Sequence, residues 1–193
     1  MSLAPWRSII THALHRNRSL VYARYLQLAT VRENGLPANR TVVFRGFLDD
    51  TNQLKFITDI RSEKAEQISK QPATEVCWYF PKTREQFRIT GKLTLVSADS
   101  HPHLQSARIK MWQELSDAAR LQFVWPNPGK QRLKTPEAFT PPAPNPLIPG
   151  ENFCLLLLEP TQVDHLELRG EPQNRRIYQL DENHSWCCEE INP

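Results

Sequence analysis

The sequence predicts a mainly β fold, an antiparallel sheet with flanking helices. Residues alternate in polarity along short β-branched segments such as Arg40 to Phe47, as they do in strands that are buried on one face. Turn-forming residues separate these segments, and Asn34-Gly35 marks a tight hairpin. After residue 150 further strand-like segments follow one another with short polar turns. Short turns between successive strands indicate antiparallel neighbours.

The first part of the chain predicts one helix and three strands. Pro5 to Arg18 carries an apolar stripe at helical spacing, with proline in the first turn. Tyr25 to Arg32 is the first predicted strand, and the tight turn after it leads into the strand that begins at Arg40. A polar cluster from Asp49 to Asn52 predicts a hairpin to a third strand, Leu54 to Thr58. We therefore expect these three strands to be neighbours.

Helical and strand patterns continue in the rest of the chain. Ser62 has the position of a helix N-cap, with helix formers after it up to Pro72. A third helical region begins near Pro102, and Ser116 caps a short fourth one. The remaining predicted strands are Thr74 to Phe80, Gln86 to Val96, Phe153 to Leu158, Val163 to Leu168, Arg175 to Leu180 and Trp186 to Ile191.

A proline-rich stretch runs from Pro126 to Pro149 and includes the segments PNPG and TPPAPNP. This composition disfavours helix and sheet and favours an extended, semi-rigid strap. One alternative is a ligand for the aromatic groove of another protein. In a chain this small, we expect a strap that wraps over a dimer surface.

Length and composition predict one domain over residues 1–193, since 193 residues with 39% hydrophobic content can bury a substantial core. The net charge of +3 is small and the charges are dispersed, so nucleic acid is not an expected partner. No apolar run approaches the length of a membrane span, and the N-terminus lacks a secretory signal. We expect a cytoplasmic protein with no membrane partner.

The four cysteines and the six histidines match no metal-binding template by their spacing. Cys187 and Cys188 are adjacent and point to opposite faces if they lie in a strand. His12 with His15, and His101 with His103, would need a third ligand that the sequence does not offer. We expect no metal site and reduced cysteines with ordinary packing roles, and a redox-active thiol is the alternative.

The start of the helix at Ser62 is the strongest candidate for a binding site. The N–H groups of its first turn are unpaired and the helix dipole is positive there, so this end attracts anions. The Thr58 and Ser62 hydroxyls and the Lys64 ammonium are close to it in sequence. Arg40 and Arg45 lie on the neighbouring predicted strand, Arg40 to Phe47. Taken singly, each cation also fits a solvated surface charge, but the combination predicts an anion site.

The same segments resemble the pyridoxamine 5′-phosphate oxidase-like split barrels that bind FMN. The shared pattern is an Arg-x-Val-x-x-[Arg/Lys] strand, an aliphatic or aromatic residue followed by Thr, and Ser-x-Lys at a helix start. The resemblance implies an antiparallel split β-barrel with FMN as cofactor. The residues that it implies as flavin contacts are Arg40, Thr41, Val42, Val43, Phe44, Arg45, Ile57, Thr58, Ser62 and Lys64. Glu63 departs from the basic residue that is common between the serine and the lysine.

The resemblance extends to residues that would surround the flavin ring. The segment REQFRITG implies that the Gln86 amide meets the pyrimidine edge of the ring, which needs a donor and an acceptor side by side, with Arg88 as a further candidate. Ser116 and Arg120 match a region that crosses to the flavin of the other subunit. Arg175 matches a flavin-contacting arginine. Together these positions imply FMN bound at the interface of a homodimer.

The substrate contacts of the true oxidases are missing from this sequence. The family's Arg-x-His is absent from GEPQNR, its substrate-gripping Tyr, Arg and Ser have no equivalents in SADSHPHLQSARIK, and Leu166 or a neighbour takes the place of a tryptophan. A phosphate dianion binds poorly without charge-assisted hydrogen bonds. We therefore expect an FMN-dependent oxidoreductase that acts on an unidentified small molecule, with pyridoxamine 5′-phosphate oxidation ranked below it.

Two other classes of function stay open at this level. One is a carrier or sensor that binds FMN or haem without turnover. The other is a small basic barrel for nucleic acid, which would be colourless and would bind oligonucleotides in a salt-sensitive way. The sequence offers no nucleophile with its base and no carboxylate pair, so no catalytic residue is assigned.

Overall fold

Eight antiparallel strands form one sheet in the computed structural model, which describes residues 3–193. The strands are β1 (Tyr25–Val31), β2 (Pro37–Val43), β3 (Leu54–Asp59), β4 (Ala73–Phe80), β5 (Glu85–Val96), β6 (Phe153–Glu167), β7 (Asn174–Leu180) and β8 (Trp186–Ile191). They are hydrogen-bonded in the order β2-β1-β4-β5-β6-β7-β8, and β3 pairs with the free side of β6. The predicted antiparallel, mainly β class is therefore observed.

Four α-helices flank the sheet within residues 3–193, and each was predicted from the sequence pattern. They are α1 (Pro5–Asn17), α2 (Glu63–Lys70), α3 (Pro102–Gln113) and α4 (Asp117–Leu121). Within residues 3–193, no helix combines the length and the apolar character needed to cross a membrane. Between α4 and β6 the chain has two short 3-10 turns, Gln122–Val124 and Pro136–Phe139, and the second lies in the proline-rich strap.

The predicted hairpin between the second and third strands is present, but the third strand forms its ladder elsewhere. β2 starts earlier than predicted and ends at Val43. Beyond it the hairpin is formed by the bridge of Phe47 with Leu54 and by backbone hydrogen bonds of Arg45 and Gly46 with Lys55 and of Leu48 with Gln53. The ladder of β3 is instead formed with β6, from Leu54 opposite Leu158 to Asp59 opposite Phe153. An all-apolar strand such as Phe153 to Leu158 needs partners on both edges and cover on both faces, and β3 supplies one of those edges.

The prediction of two separate strands after residue 150 is wrong, because β6 is continuous from Phe153 to Glu167. Pro160 lacks an N–H group, and the register with β5 shifts at that point between Thr90 and Gly91. A Cβ atom at Gly91 would lie 2.1 Å from the carbonyl oxygen of Glu159. Gly91 therefore allows the backbones of β5 and β6 to approach closely at Pro160, so that β6 continues past the proline.

Alternation along the strands creates two cores on opposite faces of the sheet. On the inner face, Trp6 and Ile10 of α1 pack with residues such as Trp78 and Phe87. On the outer face, α3 covers only one end, where Trp112 packs against Phe153, Leu155 and Leu157. The other end of the outer face is open, and Tyr25 and Tyr79 there keep 46% and 45% of their surface exposed.

Candidate functional site

The N-terminus of α2 has the capped geometry that the sequence predicts. The Ser62 hydroxyl accepts a hydrogen bond from the backbone N–H of Ala65 at 3.3 Å and donates one to the carbonyl oxygen of Asp59 at 2.7 Å. Its Oγ lies 3.2 Å from Oγ1 of Thr58, a buried residue near the end of β3. The hydroxyls of Thr58 and Ser62 therefore stand together at the positive end of the helix.

Lys64 turns back from the first turn of α2 toward the same two hydroxyls. Its Nζ donates a hydrogen bond to Oγ1 of Thr58 at 2.9 Å. Burial and the nearby charge of Arg40 lower the pKa of Lys64 to about 8, with a smaller opposing effect from Asp59. Among residues 3–193 it forms no ion pair with a carboxylate. A bound anion would stabilise the charged form of a partly buried lysine of this kind.

Arg40 lies on β2, on the inner face of the sheet and close to α2. Its guanidinium donates to Oγ1 of Thr30 at 2.6 Å, to the carbonyl oxygen of Leu28 at 3.2 Å and to Oε1 of Gln67 at 3.0 Å. Burial lowers the pKa of Arg40, and the neighbouring Glu63 opposes this effect. Because the hydrogen-bond partners are neutral, Arg40 adds positive potential behind Lys64.

The other residues predicted on this strand are placed differently. Val42 and Phe44 are in the inner core, whereas Thr41 is exposed and Val43 is half-buried on the outer side. Arg45 follows the strand's end, where its N–H bonds to the carbonyl oxygen of Lys55 at 2.9 Å and where burial and Arg24 lower its pKa. The structure therefore brings Arg40, and not Arg45, to the tip of α2 within one chain.

A cavity of about 470 Å³ opens at this helix tip. One wall consists of Ile57, Thr58, Asp59, Ser62 and Lys64, which includes four of the predicted contacts. The opposite wall is the end of the α4 region and the strap: Gln122, Phe123, Trp125, Pro126, Asn127, Pro128, Gly129, Lys130, Gln131, Arg132, Leu133 and Phe139. The strap thus closes one side of the candidate anion site, a position that its composition did not indicate.

Arg61 holds the strap in this position. Its guanidinium pairs with the Asp59 carboxylate at 2.6 Å and donates to the carbonyl oxygens of Trp125 at 3.0 Å and Phe123 at 3.3 Å. It also donates to Oδ1 of Asn127 at 3.0 Å. Arg61 therefore links β3 to the strap and is not available as a ligand for an anion.

Replacing Arg61 with methionine is expected to loosen the strap. Loss of these charge-assisted bonds costs about 1 kcal/mol locally, so trypsin should cleave after Lys130 and Arg132 about 5-fold faster. Arg176→Met serves as a control because Arg176 pairs with Glu190 at the far edge of the sheet. Equal cleavage rates for Arg61→Met and the unaltered protein would show that Arg61 does not hold the strap in place.

A second group of predicted residues lies on the open part of the outer face. Arg175 binds the Asp164 carboxylate through two hydrogen bonds of 2.8 and 3.1 Å, and Arg88 binds the same carboxylate. Gln86 lies in the same row of the sheet as Arg175. Gln86 on β5 is opposite Leu166 on β6, and Leu166 is opposite Arg175 on β7. Burial raises the pKa of Asp164, but hydrogen bonds from Arg175 and Arg88 outweigh it and the pKa is lowered overall. Two guanidinium groups on one carboxylate leave a net positive charge.

Comparison with known proteins identifies what this arrangement belongs to. The family model described as pyridoxamine 5′-phosphate oxidase, FMN-binding domain, matches residues 3–97. Pyridoxine/pyridoxamine 5′-phosphate oxidase 2 of Arabidopsis thaliana is 36% identical over 200 residues, which cover 99% of this chain and 98% of the plant protein. The chain belongs to the pyridoxamine 5′-phosphate oxidase-like FMN-binding family. FMN is the cofactor of the domain that this family model describes.

Solved structures confirm the split-barrel fold of the family. A pyridoxamine 5′-phosphate oxidase-related, FMN-binding protein from Nostoc punctiforme PCC 73102 has a TM-score of 0.98 and 71% identity, with each chain covered completely. PhzG from Burkholderia lata 383, in complex with tetrahydrophenazine-1-carboxylic acid, has a TM-score of 0.79 at 18% identity, covering 100% of this chain and 98% of PhzG. The likeness to PhzG is one of fold alone. In this chain the split-barrel sheet is not closed, because β2 and β3 share no ladder and only the short hairpin after β2 leads to β3.

Two further residues that the family resemblance implied have local roles within one chain. Ser116 caps α4 by accepting from the backbone N–H of Ala119 at 3.3 Å. Arg120 is 6% exposed and donates to the carbonyl oxygen of Trp112 at 3.1 Å and to Oδ1 of Asp117 at 2.7 Å. Neither residue lines the cavity at the tip of α2. Their contact with the flavin of a second subunit stays a prediction.

Residues that the sequence pattern did not single out form a small polar cluster on the inner face. Glu85, His165 and Glu167 place ligand-type atoms within 4.8 Å of one another. Glu85 and Nε2 of His165 lie 3.0 Å apart, and Glu167 is near Arg176 at 3.7 Å. The alternation of residues on β5 and β6 could have placed these three side chains on one face of each strand. The sequence did not indicate that the two strands, about 80 residues apart, are neighbours. Because these ion pairs and hydrogen bonds account for the cluster, we assign no metal to it.

Proposed function

We propose that this protein binds FMN non-covalently at the interface of a homodimer and uses it as an oxidoreductase on a small molecule. The observation that carries the proposal is the partly buried Lys64, whose pKa is lowered to about 8 and which stands with two hydroxyls at a helix N-terminus. A phosphate dianion at this point meets unpaired N–H groups, hydroxyl donors and a cation that lacks a counterion among residues 3–193.

The placement of the second residue group supports the dimer. The tip of α2 takes its cations from the inner side of the sheet, whereas Gln86, Arg88 and Arg175 are on the open outer face. One chain does not wrap both groups around one flavin. A second copy that covers the exposed Tyr25 and Tyr79 would bring its outer-face group to the flavin of the first. Sedimentation of a species of twice the chain mass is the expected result.

The chemistry in this proposal divides between cofactor and protein. Bound FMN supplies the exchange of a hydride or of electrons. The Gln86 amide offers a donor and an acceptor to the pyrimidine edge of the ring, and the cationic group around Asp164 adds positive potential there. The strap and the helix tip hold the phosphorylated end, which fixes the orientation of the ring.

A second candidate function is the oxidation of pyridoxine or pyridoxamine 5′-phosphate itself. It is favoured by the name of the Arabidopsis relative, which matches almost the whole chain. The missing Arg-x-His motif and the missing phosphate-gripping residues argue for a different substrate. A direct assay with pyridoxine and pyridoxamine 5′-phosphates decides between the two, since efficient turnover would support the second candidate.

The absorbance spectrum of the purified protein tests the cofactor and the class of function together. We expect a yellow protein that releases FMN on heating, is bleached by a reduced nicotinamide or by substrate, and recovers in air. Bleaching by neither would favour an FMN carrier or sensor. A strong Soret band would indicate haem, and a colourless protein that binds oligonucleotides in a salt-sensitive way would support the nucleic-acid alternative.

The affinity for FMN is expected to fall as the pH rises through about 8, because Lys64 loses its proton there in the free protein. The phosphate has a second pKa of about 6 and stays a dianion over this range, so the loss approaches about tenfold per pH unit. Flavin fluorescence quenching from about pH 7 to about 9.5 measures it. Lys64→Arg should flatten the profile, because arginine stays charged. A profile with the same slope in that variant would assign the titration to another group.

A further inference from the structure

Glu63 takes the place in which relatives commonly carry a basic residue, and the structure shows that its carboxylate serves α2 instead. Oε1 of Glu63 accepts from Nε2 of Gln67 at 2.6 Å and pairs with Arg32 at 3.4 Å. The side chain is 68% exposed and does not line the cavity at the helix tip. The helix side of this cavity therefore contributes one cation, Lys64, toward a ligand group that carries two negative charges.

The strap brings two further cations to the same cavity. Lys130 and Arg132 both line it, as Ser62 and Lys64 do. In the part of the chain that the structure describes, neither is a member of an ion pair. They are therefore free to face an anion inside the cavity.

Contacts of Arg132 and of Trp125 hold the strap that carries these cations. The Arg132 guanidinium lies over the ring of Phe139 at 4.7 Å, and Phe139 in turn meets Trp125 with ring centroids 6.3 Å apart. Trp125 is bound by Arg61, which is itself paired to Asp59 at the helix tip. The strap is thus held against α2 at the point where the phosphate is expected.

We propose that Lys130 and Arg132 of the strap form the second cationic wall of the phosphate site and supply the charge that Glu63 does not. This inference rests on the proposed binding of FMN at the tip of α2. The strap then acts as part of the cofactor site, and Lys130 and Arg132 are residues that select the phosphorylated flavin over riboflavin.

Titration of FMN and of riboflavin, followed by flavin fluorescence, tests this role. Lys130→Met and Arg132→Met are each expected to weaken FMN binding about 3-fold and the double variant about 10-fold, as for exposed charge-assisted contacts. Riboflavin affinity should stay unchanged. The loss should be larger at about 50 mM than at about 200 mM salt. Lys134→Met is the matched control, since Lys134 is an exposed cation on the same strap that does not line this cavity.

Three results would overturn the inference. If the double variant binds FMN within about twofold of the unaltered protein, the strap cations do not serve the phosphate. If FMN and riboflavin lose affinity equally, the strap acts by packing and not by charge. If the unaltered protein shows no saturable binding of FMN, the proposed function fails and this inference fails with it, a result that differs from the first two.

Discussion

Replacing Lys64 with methionine is expected to weaken FMN binding about 50-fold, or by about 2.3 kcal/mol, while riboflavin binding stays nearly unchanged. The substitution keeps the length and the apolar stem of the side chain but removes the charge-assisted hydrogen bond to the phosphate. Its effect on folding should be small, because methionine fills the partly buried site and the Thr58 hydroxyl keeps Ser62 as a partner. Titration of both flavins gives the two affinities.

Lys70→Met is the matched control for this variant. Lys70 lies in the last turn of the same helix, where it pairs with Glu33 at 2.9 Å and Glu66 at 3.2 Å, away from the cavity. We expect its FMN affinity to stay within about twofold of the unaltered protein. If Lys64→Met and Lys70→Met bind FMN equally well, the phosphate does not lie at the helix tip.

Gly91→Ala is expected to lower the free energy of unfolding by about 2–4 kcal/mol. The new Cβ would meet the backbone of Glu159 and Pro160, which is part of a sheet and cannot move aside as a side chain can. To relieve this clash, β5 and β6 must separate at the register shift. Both cores contain residues of these two strands, so the separation disturbs their packing. Denaturation by urea, monitored by tryptophan fluorescence, measures the change.

Gly150→Ala provides the comparison for this prediction. A Cβ at Gly150 would meet only the ring of Trp112 at 3.7 Å, which is an ordinary van der Waals distance. We expect a change below about 1 kcal/mol there. Equal stability of Gly91→Ala and Gly150→Ala would show that the close approach of β5 and β6 is not as tight as described.

The sequence predicted those parts of the structure that depend on neighbours along the chain. The cap at Ser62, the grouping of Thr58 and Lys64 at the helix start and the Gly35 hairpin involve residues at most six positions apart. Local hydrogen-bonding rules are enough to specify such features. The tip of α2, which is the centre of the candidate site, could therefore be predicted from the sequence alone.

The features that the sequence did not predict depend on contacts between distant residues. β3 pairs with β6 across about 100 residues, and β6 continues through Pro160 because the compensating Gly91 lies on β5. Asp164, which holds both Arg88 and Arg175, reads as one more polar residue in an alternating strand. Nothing in the composition of the strap indicates that Arg61 fixes it over the helix tip.

A crystal structure of the protein with FMN would show where the flavin phosphate lies. We expect phosphate oxygens within about 3 Å of Nζ of Lys64 and of the first N–H groups of α2, with Gln86 of the partner subunit beside the ring. A flavin bound elsewhere, or one whose phosphate projects into bulk solvent away from α2, would contradict it.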